Sequence, residues 1–227
     1  MSFEPSEISS DLVAHGMAEV FSVQRDGVYR HGLKQIIDFA LVMLAAPIVL
    51  PIVLILALFV MRDGHSPFYW SERVGRNGRV FRMMKLRTMV HDADARLEAF
   101  LASDKAAAAE WVTSQKLKHD PRITRFGRML RKTSLDELPQ LWNVLAGDMS
   151  LVGPRPMMPN QRKIYPGRAY YSLRPGVTGP WQVSDRNECG FAKRADFDLD
   201  YYRTLSFQND LRLLARTVVV VLRGTGY

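Results

Sequence analysis

The sequence predicts an α-helix-rich α+β fold with one membrane-embedded segment, and three observations carry that prediction. Phe39–Met61 reads FALVMLAAPIVLPIVLILALFVM, without one charged or hydrogen-bonding side chain. Ser66–Met89 has strand character around an Asn77-Gly78 pair, a strong hairpin signal. Asp92–Gln115 is rich in Ala, Leu and Glu and free of Gly and Pro, which favours a helix.

The elements follow in chain order. Residues 1–30 are weakly patterned and read as an N-terminal arm. Residues 31–62 hold the apolar run, which at ~1.5 Å per residue is just long enough to cross a bilayer. It is too long for the apolar part of a signal peptide, and no small-residue cleavage site follows it. Pro47 and Pro51 interrupt it, and each costs ~3 kcal/mol or more in a helix interior. Arg25, Arg30 and Lys34 precede the run and Arg62, Arg73, Arg76 and Arg79 follow it. A crossing helix concentrates its basic residues on the cytoplasmic flank only. A helix–break–helix hairpin that dips into the cytoplasmic leaflet fits this flanking charge, and a proline-kinked crossing helix fits the residues equally well.

Residues 63–227 are one domain's worth of chain. The hairpin Ser66–Met89 turns at Gly75–Gly78; helices are expected over Asp92–Gln115, Thr124–Arg131, Leu135–Leu145, Asp196–Tyr202 and Leu211–Leu222. Pro154, Pro156, Pro159, Pro166, Pro175 and Pro180 mark an irregular stretch between them. The last helix, LRLLARTVVVVL, has polar residues on one side and suits either a membrane surface or the domain core.

Charge narrows the partners. The 227 residues contain 31 Lys+Arg against 23 Asp+Glu, a net charge of +8, and residues 62–227 carry an excess of +11. Basicity beside a membrane segment points to anionic headgroups or phosphorylated substrates, and the membrane run argues against nucleic acid. Cys189 is the single cysteine, so there is no intramolecular disulfide framework or thiolate zinc cluster. The five His lack metal-ligand spacing, and no GxxxxGK[ST], GxGxxG or HExxH motif is present.

Chemistry concentrates in Arg131–Pro156, RKTSLDELPQLWNVLAGDMSLVGPRP. Asp136 and Glu137 are adjacent carboxylates in a basic neighbourhood. Ser134-x-x-Glu137 reads as a capping box, which by itself would make Asp136 a helix-dipole residue worth ~0.3–1 kcal/mol. The same placement is expected to keep Asp136 ionised where phosphate oxygens also bind, ready to attack phosphorus once that phosphate is neutralised. Arg122, Arg125, Arg128, Arg131 and Lys132 lead into the pair at near-helical spacing. Arg155, held between Pro154 and Pro156, presents a guanidinium suited to bidentate phosphate binding. Arg174 and Arg186 repeat the theme, and Lys85 and Arg87 share one face of a strand.

Taken together, RVGRNGRVF, MKLRTM, DPRITRFGRMLRKTSLDELPQLWNVLAGDMSLVGPRP, LRPGVTGPWQVSDRN and DLDYYRTLSF resemble the bacterial sugar transferases, the monotopic polyprenyl-phosphate phosphoglycosyl transferases. The resemblance runs from about Lys34 to the C-terminus and is nearest to exopolysaccharide-initiating members of the galactose- or glucose-transferring type. It implies a proline-broken re-entrant helix anchoring one catalytic domain on the cytoplasmic face of the bacterial inner membrane. It also implies transfer of a sugar-1-phosphate from a UDP-sugar to undecaprenyl phosphate, with release of UMP. By the same resemblance Asp136 is the nucleophile that forms a covalent phosphosugar intermediate, and Glu137 helps hold Mg²⁺. Arg131 and Arg155 match phosphate-contacting positions; Lys85, Arg87, Arg174 and Arg186 are further substrate contacts. The chain departs from the family pattern at Leu50, where Ser usually precedes the breaking proline, and at Asp185, where Gly is common. A catalytically silent, membrane-tethered scaffold for glycan assembly is the alternative, and self-association is left open.

Overall fold

A computed structural model of the chain describes residues 27–114, 117, 119–184 and 191–223. The arm expected over 1–30 lies mostly outside the described residues, as do Asp185, Arg186 and Cys189. A π-helical turn, Tyr29–Leu33, leads into helix α1, Lys34–Val60, which contains both prolines. The helix runs through Pro47 and Pro51 without a non-helical residue, so the break expected there does not divide it into two elements. It is the one helix among the described residues long and apolar enough to cross a membrane.

One narrow stripe of α1 touches the rest of the chain. Val42, Val53 and Ala57 are buried, with Ala46, Val49 and Val60 half-buried between and beyond them. The remaining surface is apolar and open, from Leu44 and Ile48 to Leu58. At about 100° per residue, Pro47 and Pro51 lie about 140° and 180° around the helix from Val42, on this outer face.

Strands β1 (Phe68–Val74) and β2 (Val80–Leu86) form the expected antiparallel hairpin, with Tyr69 opposite Lys85 and Val74 opposite Val80. Asn77 and Gly78 both take left-handed backbone (φ 57° and 76°), which their short or absent side chains allow, and the Gly75 N–H closes the turn on Arg79 O.

The helix expected over Asp92–Gln115 is two, α2 (Ala93–Ser103) and α3 (Lys105–Ser114). Asp104 divides them. Its Oδ1 accepts from the Ala106 and Ala107 N–H groups at 2.8 and 3.0 Å, so an acidic residue capable of helix propagation instead starts a new helix. Helix α4 (Arg125–Thr133) begins at Thr124, whose hydroxyl accepts from the Gly127 N–H at 2.8 Å.

A 3₁₀ turn, Leu135–Glu137, and helix α5 (Gln140–Leu145) replace the single helix expected over Leu135–Leu145. Pro139, which has no N–H, sits between them. Strand β3 (Ser150–Val152), a 3₁₀ segment Pro159–Ile164, helix α6 (Ala169–Ser172) and strand β4 (Gly176–Thr178) occupy the proline-rich stretch. β3 and β4 pair in parallel, an element the residue pattern does not announce. Helices α7 (Arg194–Thr204) and α8 (Phe207–Leu222) complete the described chain.

Four apolar clusters join these pieces. Val42 of α1 packs with Phe81, Met83, Val144 and Met149; Ala57 of α1 packs with Leu86 and Leu130. The others centre on Val74, Met157, Tyr165 and Tyr170, and on Val152, Leu173, Tyr201 and Leu213. The inner side of α8 therefore belongs to the domain core through Leu213, one of the two settings its sequence allows. A buried polar network adds to this at the start of α1. Asp210 of α8 accepts from Tyr29 and Tyr201 hydroxyls and from Lys34 Nζ, each at 2.6 Å. Ser150 Oγ donates to Asp38.

Candidate active site

Asp136 stands where two positioning devices meet. The first is Asn143 of α5. Its Oδ1 accepts from the Met84 N–H at 3.0 Å and its amide donates to Arg82 O at 2.8 Å. One side chain thus pairs with the free edge of β2 and ties the Leu135–Leu145 region to the strand bearing Lys85. The second is Thr88, just beyond β2. Its carbonyl accepts from the Thr124 N–H at 3.1 Å, seating the start of α4, while its hydroxyl accepts from Arg131 Nε at 2.8 Å.

Between them Ser134 adopts left-handed backbone (φ 57°, ψ 17°) as the C-cap of α4. Its side chain makes no cap hydrogen bond to the following turn, so the capping box expected at Ser134-x-x-Glu137 does not form. The reason is the abrupt reversal between α4 and the turn, which commits Ser134 to ending one helix rather than beginning the next. Glu137 is left to meet Lys85, with Nζ 2.6 Å from Oε1.

These groups line an open cleft of ≈ 1410 Å³, bounded by the hairpin, the α4–α5 connection, the Pro154–Pro156 loop, Trp181 and the inner side of α8. Asp136 is 8% exposed within it. Burial pushes its carboxyl up to about 6, against the pull of Lys85 and Arg131 and with the push of Glu137. Desolvation exceeds the attraction of the basic neighbours expected to keep Asp136 ionised, so its proton affinity rises rather than falls. At pH 7 a carboxyl of this kind is still about nine-tenths ionised, and its proton affinity is that of a stronger nucleophile than an ordinary carboxylate.

Lys85, Arg131 and Arg155 all reach this cleft with the carboxylate pair. Arg87 lies along it, but its guanidinium is occupied: it forms a fork on Asp63 at 2.6 and 2.7 Å and donates to Ser66 O, Met89 O and Val60 O. These bonds tie the end of α1 to β2. Arg174 does not line the cleft. Its Nε donates to Gly147 O and its Nη2 to Gln35 Oε1, both at 2.9 Å, the second a tie to α1. Arg186 lies outside the described residues.

The basic run divides in two. Arg122 and Arg131 enter the cleft, Arg122 paired with Asp120 at 2.7 Å and stacked over Trp111, whereas Arg125, Arg128 and Lys132 are exposed on the outer side of α4. Sequence reasoning assigned no site role to Arg73 on β1 or Arg194 on α7, both of which reach the cleft.

Among the described residues no three His, Cys, Asp or Glu side chains converge as a metal cage. Asp136 and Glu137 alone are a donor set that fits Mg²⁺, which commonly takes one or two carboxylates and fills its shell with phosphate oxygens and water. They do not fit a structural zinc centre, which needs four protein ligands.

Comparison with known proteins identifies the family. The bacterial sugar transferase family matches residues 29–224. The UDP-galactose-lipid carrier transferase of Erwinia amylovora is 47% identical over 196 residues, covering 86% of this chain and 41% of the relative. The undecaprenyl-phosphate galactose phosphotransferase of Salmonella typhimurium is 45% identical over the same length, with 86% and 41% covered. The exopolysaccharide production protein ExoY of Sinorhizobium fredii is 41% identical over 196 residues, with 85% and 87% covered. The chain thus spans about two fifths of the first two relatives and most of the third.

Proposed function

Because the chain belongs to the bacterial sugar transferase family, we propose that it is a phosphoglycosyl transferase acting on a membrane-borne polyprenyl phosphate. The donor is a UDP-sugar, with galactose favoured by the relatives named for it and glucose next, and the acceptor is undecaprenyl phosphate. The product starts an exopolysaccharide or related glycan. The observation that carries the reading is a single buried carboxylate, Asp136, set among Lys85, Arg131 and Arg155 in a cleft wide enough for a nucleotide sugar.

The reaction proceeds by two displacements at one phosphorus. Asp136 Oδ bonds to the sugar-bearing phosphorus as its bond to the bridging oxygen breaks, and UMP leaves with that electron pair. An oxygen of the lipid phosphate then bonds to the same phosphorus as the Asp136 bond breaks, restoring the carboxylate. Lys85 and Arg131 offset charge on the transferring phosphoryl group, and burial keeps Asp136 poorly solvated and ready to attack. Mg²⁺ held by Glu137, with Lys85 released, would neutralise the diphosphate.

The same reading places α1 as a dip into the cytoplasmic leaflet of the inner membrane, with the domain on the cytoplasmic face. Lys34 at one end pairs with Asp210, and Ala57 near the other packs on Leu86 and Leu130, so both ends rest on one polar body. A helix of 27 residues standing across the bilayer would lose one set of these contacts. Prolines on the outer face favour bending toward the domain, because each relieves its clash by opening the helix on its own side.

Purified chain in detergent, given a panel of UDP-sugars with Mg²⁺ and undecaprenyl phosphate, is expected to release UMP with one sugar. Release should vanish in Asp136→Asn, and equal release by that variant would reduce Asp136 to a structural role.

A further inference from the structure

Three arginines meet in the cleft beside the carboxylate pair, and their own protein leaves them incompletely satisfied. Arg73 ends β1, Arg155 lies between two prolines, and Arg194 begins α7. Tyr170 brings the first two together: its hydroxyl donates to Val74 O and accepts from the Met157 N–H, while the Val74 N–H donates to Met157 O at 2.9 Å. Arg194 lies over two rings, its guanidinium carbon 5.2 Å from the Trp181 centroid and 4.7 Å from that of Phe191.

None of the three forms a salt bridge among the described residues, and the Nε atoms of Arg73 and Arg194 are buried without a hydrogen-bond acceptor. Burial first, and then the charge of Arg155, lowers the proton affinity of Arg73 and of Arg194, that of Arg194 to about 10, so each of these two stands beside a like charge. Like charges with idle buried donors are costly unless an anion completes them.

The chemistry of the reaction says which anion. In-line displacement requires the leaving group to depart opposite the attacking oxygen. In the first step the nucleoside monophosphate therefore leaves opposite Asp136. In the second, the acceptor must attack opposite Asp136 as well, from the place just vacated. Both are phosphate monoesters, with the same three terminal oxygens and the same charge.

We propose that Arg73, Arg155 and Arg194 form one phosphate-monoester cradle, occupied first by the departing nucleoside monophosphate and then by the incoming polyprenyl phosphate. The proposal rests on the transfer reading above and adds to it that the two ligands exclude one another. Arg73 and Arg194 are thereby assigned as binding residues.

The test is titration of the full chain in detergent with UMP and with farnesyl phosphate, singly and together, with uridine and farnesol as phosphate-free controls. The two phosphates should displace one another in a one-to-one ratio, and the controls should displace neither. Arg73→Gln and Arg194→Gln should each weaken both phosphates about ten- to a hundredfold, as expected for losing a charge-assisted hydrogen bond. Arg194→Lys, which keeps the charge, should recover part of the loss, and unchanged melting would certify the fold. Simultaneous binding of both phosphates overturns the cradle, as does weakening of only one of them or undiminished affinity in the folded Gln variants. UMP release from a UDP-sugar, assayed on the same wild-type preparation, separates the two ideas. Intact release with independent binding sinks the cradle alone. Absent release with mutual displacement sinks the transfer reading and upholds the shared phosphate site.

Discussion

Lys85 Nζ lies 2.6 Å from Glu137 Oε1, and the same ammonium exerts the strongest favourable charge on Asp136. One cation therefore serves two adjacent carboxylates, which would otherwise repel one another in a half-closed cleft. The arrangement explains how a buried Asp can stand next to Glu137 without being neutralised outright.

Lys85→Met is expected to lower kcat/KM for UMP release about a hundredfold, the usual cost of one misplaced electrostatic partner. It should also displace the acid limb of the pH profile. As the proposed nucleophile Asp136 must be a carboxylate, so the rate is expected to fall as pH drops through its pKa of about 6. Without Lys85 that value rises, and the limb moves to higher pH. A limb that stays in place while the rate falls would mean that Lys85 acts on substrate alone.

Asp198 makes a second pH prediction, away from the carboxylate pair. It is 3% exposed, accepts from the Tyr165 hydroxyl, and is raised to about 7, chiefly by burial, with Tyr165 and Arg194 opposing. Between the unfolded value near 3.8 and about 7 the folded state holds the extra proton, so this group's contribution to stability falls as pH rises through that window. Asp198→Asn keeps an acceptor for Tyr165 and removes the buried charge. Its melting temperature should match wild type near pH 4 and exceed it increasingly up to pH 8, by at most ~4 kcal/mol in stability. A constant offset at all pH values would remove Asp198 titration from the account.

Gly127 carries the third prediction. A Cβ there would fall 2.0 Å from Thr88 O and 2.8 Å from Thr124 Oγ1, and the first of these is backbone that cannot swing aside. Gly127→Ala should gain ~1 kcal/mol in helix propensity yet destabilise the chain by ~3 kcal/mol or more, because α4 must lift off Thr88. Lifting α4 also withdraws Arg131 from Thr88 Oγ1, so activity should fall further than the melting curve alone would imply. Thermal melting and UMP release measured on one preparation test both parts.

How much of this was readable beforehand depended on whether a residue's role was local. The hairpin turn at Asn77-Gly78 needs left-handed backbone that those two residues announce by themselves, and it lies where the pattern puts it. The apolar run likewise declares α1. Ser134 misleads because a Ser three residues before a Glu starts a helix in most contexts; here the reversal after α4 decides instead. The β3–β4 pair is invisible locally, since three-residue strands rely on backbones meeting at Gly153 and Gly176, where a Cβ on Gly176 would stand 2.1 Å from Gly153 N. Within the site, the carboxylates and Arg155 are marked by their motif. Arg87 and Arg174 look identical to Arg73 and Arg194 in sequence, and only the distant acceptors Asp63, Gln35 and Gly147 distinguish guanidinium groups that bond within the chain from the two with a buried unpartnered Nε.

The position of α1 yields the last prediction. Its exposed face, including Ile36, Leu44, Ile48 and Leu58, is too apolar for water, while its packed stripe holds the domain from Val42 to Ala57. The placement proposed above, a helix lying in one leaflet, gives lipid to the first face and protein to the second. With Cys189 replaced by Ser, single cysteines at Leu33 and at His65, which flank α1 and are both exposed, should resist an impermeant thiol reagent added to intact spheroplasts and react after lysis. Reaction of Leu33→Cys alone from outside would establish a true crossing. In that case the contacts of Lys34 with Asp210 and of Ala57 with Leu130 could not coexist in the membrane, and the placement of α1 against the domain would have to be abandoned.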